Sequence, residues 1–224
     1  MREDANYILV NEVFLEKVGH NSCGNILSLI DWRSEMAAIY QPVRSCSALV
    51  DIWPEFVAER KRLYKTHPQS PMQDGKSIAF FDYDPAFCFE VSLNPIDNAT
   101  SQTVDGGKDG LVNFQGVAHT SGLAQHFGKE LTIYQLAQYG GGLFLPFRDD
   151  TNGSSSYGGG RYLIDTAKSA WLGIKGDRVR LDFNFSYFPS CAHDNRYVCP
   201  LSPLENSLPM AIKAGEKWES PILS

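Results

Sequence analysis

Residues 139–165 read Tyr139-Gly-Gly-Gly-Leu143-Phe-Leu-Pro-Phe147-Arg-Asp-Asp-Thr151-Asn-Gly153-Ser-Ser-Ser-Tyr157-Gly-Gly-Gly-Arg161-Tyr-Leu-Ile-Asp165. Two short apolar runs flank a stretch of ordinary turn residues, which predicts two antiparallel strands with a loop between them. The phrase Tyr-Gly-Gly-Gly opens both halves, at 139 and 157. One such pair is too little for a repeat protein. It suits a hairpin with glycine on both arms, where another group approaches the backbone closely.

Outward from that hairpin the same rhythm continues. Candidate strands are 78–81, 87–93, 111–117, 131–136, 143–147, 160–165 and 179–185, with glycine-rich breaks at 105–110, 140–142, 152–153 and 158–160. This spacing predicts an antiparallel β-sandwich or barrel-like body, an α+β chain that is mostly β. Upstream the period changes. Ile26, Leu29, Ile30, Met36, Ala37 and Tyr40 fall at helical spacing before Pro42, which is expected to stop the helix. A second helix is expected from Asp51 to Lys65, with Trp53, Phe56, Val57, Leu63 and Tyr64 inward and Glu59, Arg60, Lys61 and Arg62 solvated; Pro54 suits its first turn. The organisation expected is one domain: a private segment 1–24, a helical hairpin arm 25–70, and a β-rich body 71–224 whose Pro-rich C-terminal coil wraps it.

Composition narrows the function classes. The chain has 224 residues with 43% hydrophobic and 21% charged, which suits a soluble globular protein. Twenty Lys+Arg against 26 Asp+Glu give a net charge of −6 without a basic block, a poor match to nucleic acid. No apolar run reaches the roughly 20 residues a membrane span needs. The start, Met1-Arg-Glu-Asp-Ala-Asn6, has acidic residues and no apolar core of a signal peptide, so a cytoplasmic location is expected. Sequons at Asn98, Asn152 and Asn184 then read as chance matches. Neither glycine-rich nucleotide motif is present, and no cofactor is expected.

Four polar clusters could carry chemistry. The first is Arg148, Asp149, Asp150, Thr151, Tyr157 and Arg161: two guanidinium forks for an anion, an aspartate base, a phenol donor. The same residues also make ordinary turns, with Arg148 pairing an adjacent aspartate. The second is Asp182, Asn184 and Ser186, expected on one face of a strand with Phe183, Phe185 and Tyr187 on the other. That polar face is either wet or lines a cavity. The third is Cys191, His193 and Cys199, two of only five cysteines in the chain. Inert thiols, a cross-link, a weak zinc site and a Cys–His nucleophile all stay open for it. The fourth is Glu205-Asn206, which either reaches a pocket mouth or satisfies backbone groups of the coil.

These phrases taken together resemble domain-of-unknown-function family 1684, a bacterial family common in actinobacteria. The matching stretches are His67-Pro-Gln-Ser-Pro71, Phe81-Asp-Tyr-Asp-Pro85, Phe147-Arg-Asp with Thr151 and Gly153, Tyr157-Gly-Gly-Gly-Arg-Tyr162, Asp182-Phe-Asn184, Cys191-Ala, Cys199-Pro-Leu, Glu205-Asn206 and Ala214-Gly-Glu216. Asp31-Trp-Arg33 and the Trp53–Tyr64 helix fit as well. The resemblance implies no known reaction. Its pattern often carries an aromatic where this chain has His193, which weakens the zinc and Cys–His readings.

The reading that follows is a cofactor-independent enzyme, doing isomerisation, cyclisation or hydrolysis on a small molecule with an anionic group, in specialised metabolism. Asp149, Asp182, Tyr157 and Tyr187 are its expected acid–base residues. Arg148, Arg161, Thr151, Asn184, Glu205 and Asn206 are its expected ligand contacts. A non-catalytic ligand-binding module and an interaction scaffold are the alternatives.

Overall fold

A computed structural model describes residues 23–72, 76–97, 101–105, 111–136 and 141–218. The private segment through residue 22, the break at 106–110, Gly140 and the sequon at Asn98 lie outside the described residues. Two helices come first, α1 (Cys23–Ser45) and α2 (Leu49–Thr66). Helix α1 does not stop at Pro42 but carries it within its last turn. That proline removes one backbone donor near the helix end, while Val43, with no exposed area, holds the turn in the core. Helix α2 begins at Leu49, two residues earlier than expected, so Pro54 sits inside it. The lost bond falls at Val50, on the exposed side of the helix.

The body is a curled antiparallel sheet. Its strands are β1 (Ala79–Phe80), β2 (Cys88–Pro95), β3 (Ser101–Asp105), β4 (Leu111–Ser121), β5 (Thr132–Leu136), β6 (Leu143–Phe147), β7 (Arg161–Asp165), β8 (Ile174–Lys175), β9 (Arg178–Asp182) and β10 (Glu216–Lys217). The order in the main sheet is β7-β6-β5-β4-β2-β9-β8, with β3 also on β4. Strand β2 pairs its first half with β9 and its second half with β4, which lets the sheet bend. Tyr162 and Tyr187 exchange two backbone hydrogen bonds (2.9 and 3.1 Å), fastening β7 to the segment after β9 and tightening the curl. The hairpin read from residues 143–165 is present as β6 paired with β7.

Side-chain alternation divides the apolar residues between two faces. Phe114, Tyr134, Phe144 and Tyr162 join Met36, Tyr40, Phe56 and Tyr64 of the helices in one core cluster. Ile133, Leu145 and Leu163 turn the other way, onto Leu208, Ile212 and Ala214 of the C-terminal coil. Both faces are therefore covered, one by helices and one by coil. Arg60 of α2, expected in solvent, is only 1% exposed. Its guanidinium meets Glu216 of β10 at 2.6 Å and lies over the Tyr64 and Tyr187 rings, so it locks the helices to the body.

The strand expected through Phe185 ends at Asp182. The Asp182 carboxylate accepts the Asn184 backbone N–H (2.9 Å), and the chain turns into a 3-10 helix at Phe183–Phe185. Strand alternation consequently fails there, and every residue from Asp182 to Tyr187 is buried.

Candidate functional site

The first expected cluster is turned inward. Arg161 has no exposed area; one guanidinium nitrogen bonds Asp149 (2.7 Å) and the Ile212 carbonyl (2.7 Å), the other the carbonyls of Ala214 and Glu216. Asp149 also accepts from the Thr151 N–H at 2.7 Å, and Thr151 shares a hydroxyl bond with Ser156. These residues clamp the C-terminal coil onto the hairpin, so neither Arg161 nor Asp149 points into open space. Arg148 is half-buried and reaches the Gly158 carbonyl at 2.8 Å. Asp150 is exposed, and its backbone N–H bonds the Met210 carbonyl.

Asn206 has the same kind of role. The β5–β6 ladder runs only through Tyr134–Phe144 and Gln135–Leu143. Pro146 has no N–H to extend it. The Asn206 amide takes over: it accepts the Thr132 N–H (2.8 Å) and donates to the carbonyls of Thr132 (2.8 Å) and Pro146 (2.7 Å). Its neighbour Glu205 is exposed and accepts the Tyr134 hydroxyl.

Asp182 and Asn184 form a third internal tie. Tyr83 donates to Asp182 at 2.9 Å, and Asn184 exchanges bonds with the Asp84 backbone at 2.8 and 3.0 Å. Burial raises the Asp182 carboxyl above its ordinary value, against the pull of bonds from Asn184, Tyr83 and Cys88. Ser186 lies with no exposed area, against Gly215.

The cysteine cluster separates into two parts. His193 packs into an aromatic nest of Tyr64, Phe188 and Trp218. Its side chain is 3% exposed, and its Nε2 lies 4.0 Å from Glu216. Among the described residues no three His, Cys, Asp or Glu groups gather as a metal would require, which leaves the zinc reading without a ligand set there. The two thiols do meet. The Cys191 N–H donates to Cys199 Sγ at 3.4 Å, and the Tyr157 hydroxyl stands 3.7 Å from Cys191 Sγ.

An uncommitted space lies elsewhere, where the helices meet the body. A partly enclosed cavity of about 200 Å³ is bounded by Trp32 and Arg33 of α1, Arg60 and Tyr64 of α2, Lys168 after β7, Tyr187, and the 197–199 stretch. Three of its lining side chains are basic and none is acidic. Glu216 answers Arg60, and Asp165 stands 3.4 Å from Lys168. The Arg33 guanidinium meets a neutral partner, the Ala167 carbonyl, at 2.9 Å. Burial works against the Lys168 charge, yet the Asp165 carboxylate raises its ammonium above the ordinary value, so it stays cationic. Tyr187 donates to Asp165 at 3.0 Å. Of the residues singled out in sequence, Tyr187 and Cys199 border this cavity. Arg33, Lys168 and Trp32 were missed as site residues; only the Asp-Trp-Arg phrase at 31–33 drew notice, as part of a resemblance.

The family model described as "Protein of unknown function (DUF1684)" matches residues 74–217. Helices α1 and α2, and with them the phrases before residue 74 that the resemblance included, lie outside that match. No curated protein matches the chain. A solution NMR structure of an uncharacterized protein from Haloarcula marismortui is similar, at 31% identity and a TM-score of 0.51, covering 74% of this chain and 91% of that one.

Proposed function

The chain belongs to the DUF1684 family of proteins of unknown function, and from that premise we propose that it binds a small organic anion in the cavity between its helices and its sheet. The observation that carries this reading is the sign of the lining: Arg33, Arg60 and Lys168 without a carboxylate among them. Glu216 and Asp165 answer Arg60 and Lys168 from behind the wall. Arg33, on a neutral carbonyl, is therefore the cation that a ligand meets first, and in a partly dry site it favours an anion more than it would in water. Trp32, Tyr64 and Tyr197 supply flat apolar walls for the rest of the ligand. About 200 Å³ is below the usual ~300–1,000 Å³ of drug-sized pockets, so the ligand is a small acid rather than a nucleotide.

A thermal-shift screen with small carboxylates and phosphates tests this, on wild type and Arg33→Gln. Arg33 is exposed, so the substitution leaves the core intact. A ligand at 100 times its dissociation constant stabilises wild type by about 2.7 kcal/mol, and Arg33→Gln loses most of that gain. Equal shifts in both proteins, or no shift with any acid, would remove the reading.

Cofactor-independent acid–base catalysis is the second reading, and one observation favours it. Tyr187 borders the cavity, and its hydroxyl is held by an Asp165 that also meets Lys168, a grouping able to pass a proton. An enzyme of this kind loses turnover in Tyr187→Phe while keeping ligand affinity.

A further inference from the structure

Five cysteines occur in the chain, and only two of those with described side chains touch one another. Cys46 donates to the Ala48 carbonyl (3.1 Å), and Cys88 is held against Asp182. Cys191 and Cys199 instead lie together: the Cys191 N–H donates to Cys199 Sγ at 3.4 Å, and the Tyr157 hydroxyl stands 3.7 Å from Cys191 Sγ. Cys191 lies in the 3-10 turn Ser190–Ala192 and borders an open groove with Lys76, Arg196 and Trp218. Cys199 borders the cavity on the other side of the same wall. Each is half-buried, so a small oxidant reaches the pair without unfolding.

We propose that Cys191 and Cys199 form a redox-active dithiol, in which Cys191 is oxidised by a hydroperoxide and Cys199 resolves the product as an intramolecular disulfide. The two sulfurs are not equivalent. Cys191 sits against both Cys199 and Tyr157, and its thiol is lowered to about 6, first by Cys199 and then, against burial, by Tyr157. Cys199 is raised by the same contact and by burial, so it keeps its proton. Tyr157 is pushed up to about 12 by burial and the neighbouring sulfur, and stays a donor. The thiolate is the nucleophile in such chemistry. The groove above it carries Lys76 beside an Arg196–Asp194 ion pair (2.6 Å), so it is open to a small polar oxidant such as a hydroperoxide.

The chemistry balances in two steps. The Cys191 thiolate attacks one peroxide oxygen; the S–O bond forms, the O–O bond breaks, and the leaving alkoxide takes a proton, giving an alcohol and a sulfenic acid. The Cys199 sulfur then attacks the Cys191 sulfur; the S–S bond forms, the S–O bond breaks, and the Cys199 proton leaves with the hydroxide as water. The pair loses two electrons and the peroxide gains them. An external dithiol restores the reduced state by exchange. Nothing in this depends on what fills the cavity.

The test starts from dithiothreitol-reduced full-length protein treated with one equivalent of hydrogen peroxide. Thiol titration in denaturant should fall from five to three, with a peptide pair joining 191 to 199 by mass spectrometry. Cys199→Ser should stop at a sulfenic acid that dimedone traps on Cys191, and Tyr157→Phe should slow the wild-type reaction and move its pH midpoint upward from about 6. Retention of all five thiols in folded wild type, or oxidation that falls first on Cys46 or Cys88, would overturn the proposal. Neither result bears on the binding of small acids.

Discussion

His193 shows how a single side chain sets a pH response. Burial lowers its imidazole below the ordinary value near 6.5, with Arg60 acting the same way and Glu216 opposing. The folded protein therefore holds this ring neutral while the unfolded chain still protonates it. The resulting stability is complete above the unfolded value and is lost as pH falls through that value toward the folded one. His193→Phe puts an aromatic among Tyr64, Phe188 and Trp218 and removes a buried Nε2 that has no hydrogen bond. Urea midpoints for wild type should drop between about pH 7 and 5 more steeply than those of the variant; parallel curves would count against a neutral, buried His193. Asn206→Ala makes a second residue-scale case. It strips partners from three buried backbone groups of β5 and β6, each worth about 1–3 kcal/mol when left unpaired, so a loss of at least about 2 kcal/mol is expected by chemical denaturation. A loss below half that would mean water replaces the amide. Arg161, Asp149, Asn184 and Asn206 were legible in sequence as important polar residues. Their task was not, because a side chain that serves the backbone and one that serves a ligand use the same donors and acceptors.

At the scale of elements, the β6–β7 hairpin was readable because two apolar runs flank unmistakable turn chemistry. Strands β8 and β10 have two residues each and carry no period at all. The 183–187 stretch misled for a physical reason: its alternation is real, but Asp182 caps a 3-10 turn instead of extending a strand. Close packing at the glycine arm of the hairpin was foreseeable, and Gly160 bears it out. Its φ is +96°, and a β-carbon there would stand 2.2 Å from Ser202 Oγ and 2.5 Å from the Phe147 carbonyl. Gly153 also has positive φ (+78°) but open space around it. Gly153→Ala should therefore cost about 1 kcal/mol, the conformational penalty alone. Gly160→Ala should cost several times more, since backbone must move as well. Equal losses in thermal melts would show that the coil at Ser202 yields freely.

The whole molecule is a sheet covered on one face by helices and on the other by its own C-terminal coil. Among the described residues no helix is long and apolar enough to cross a membrane. The mostly β body and the two helices could be read from periodicity. The cavity could not, because its walls come from residues 29 to 199 on elements that only folding brings together. The conspicuous polar phrases went to pinning the coil, while plain residues on α1 and after β7 were left to face the open space. The most direct test is a titration of ¹⁵N-labelled protein with the best small acid, following the four indole N–H signals. The Trp32 signal should move saturably, with Trp53, Trp171 and Trp218 moving far less, and Arg33→Gln should abolish the change. A response centred on Trp171 or Trp218, or one that Arg33→Gln leaves intact, would contradict an anion site between the helices and the sheet.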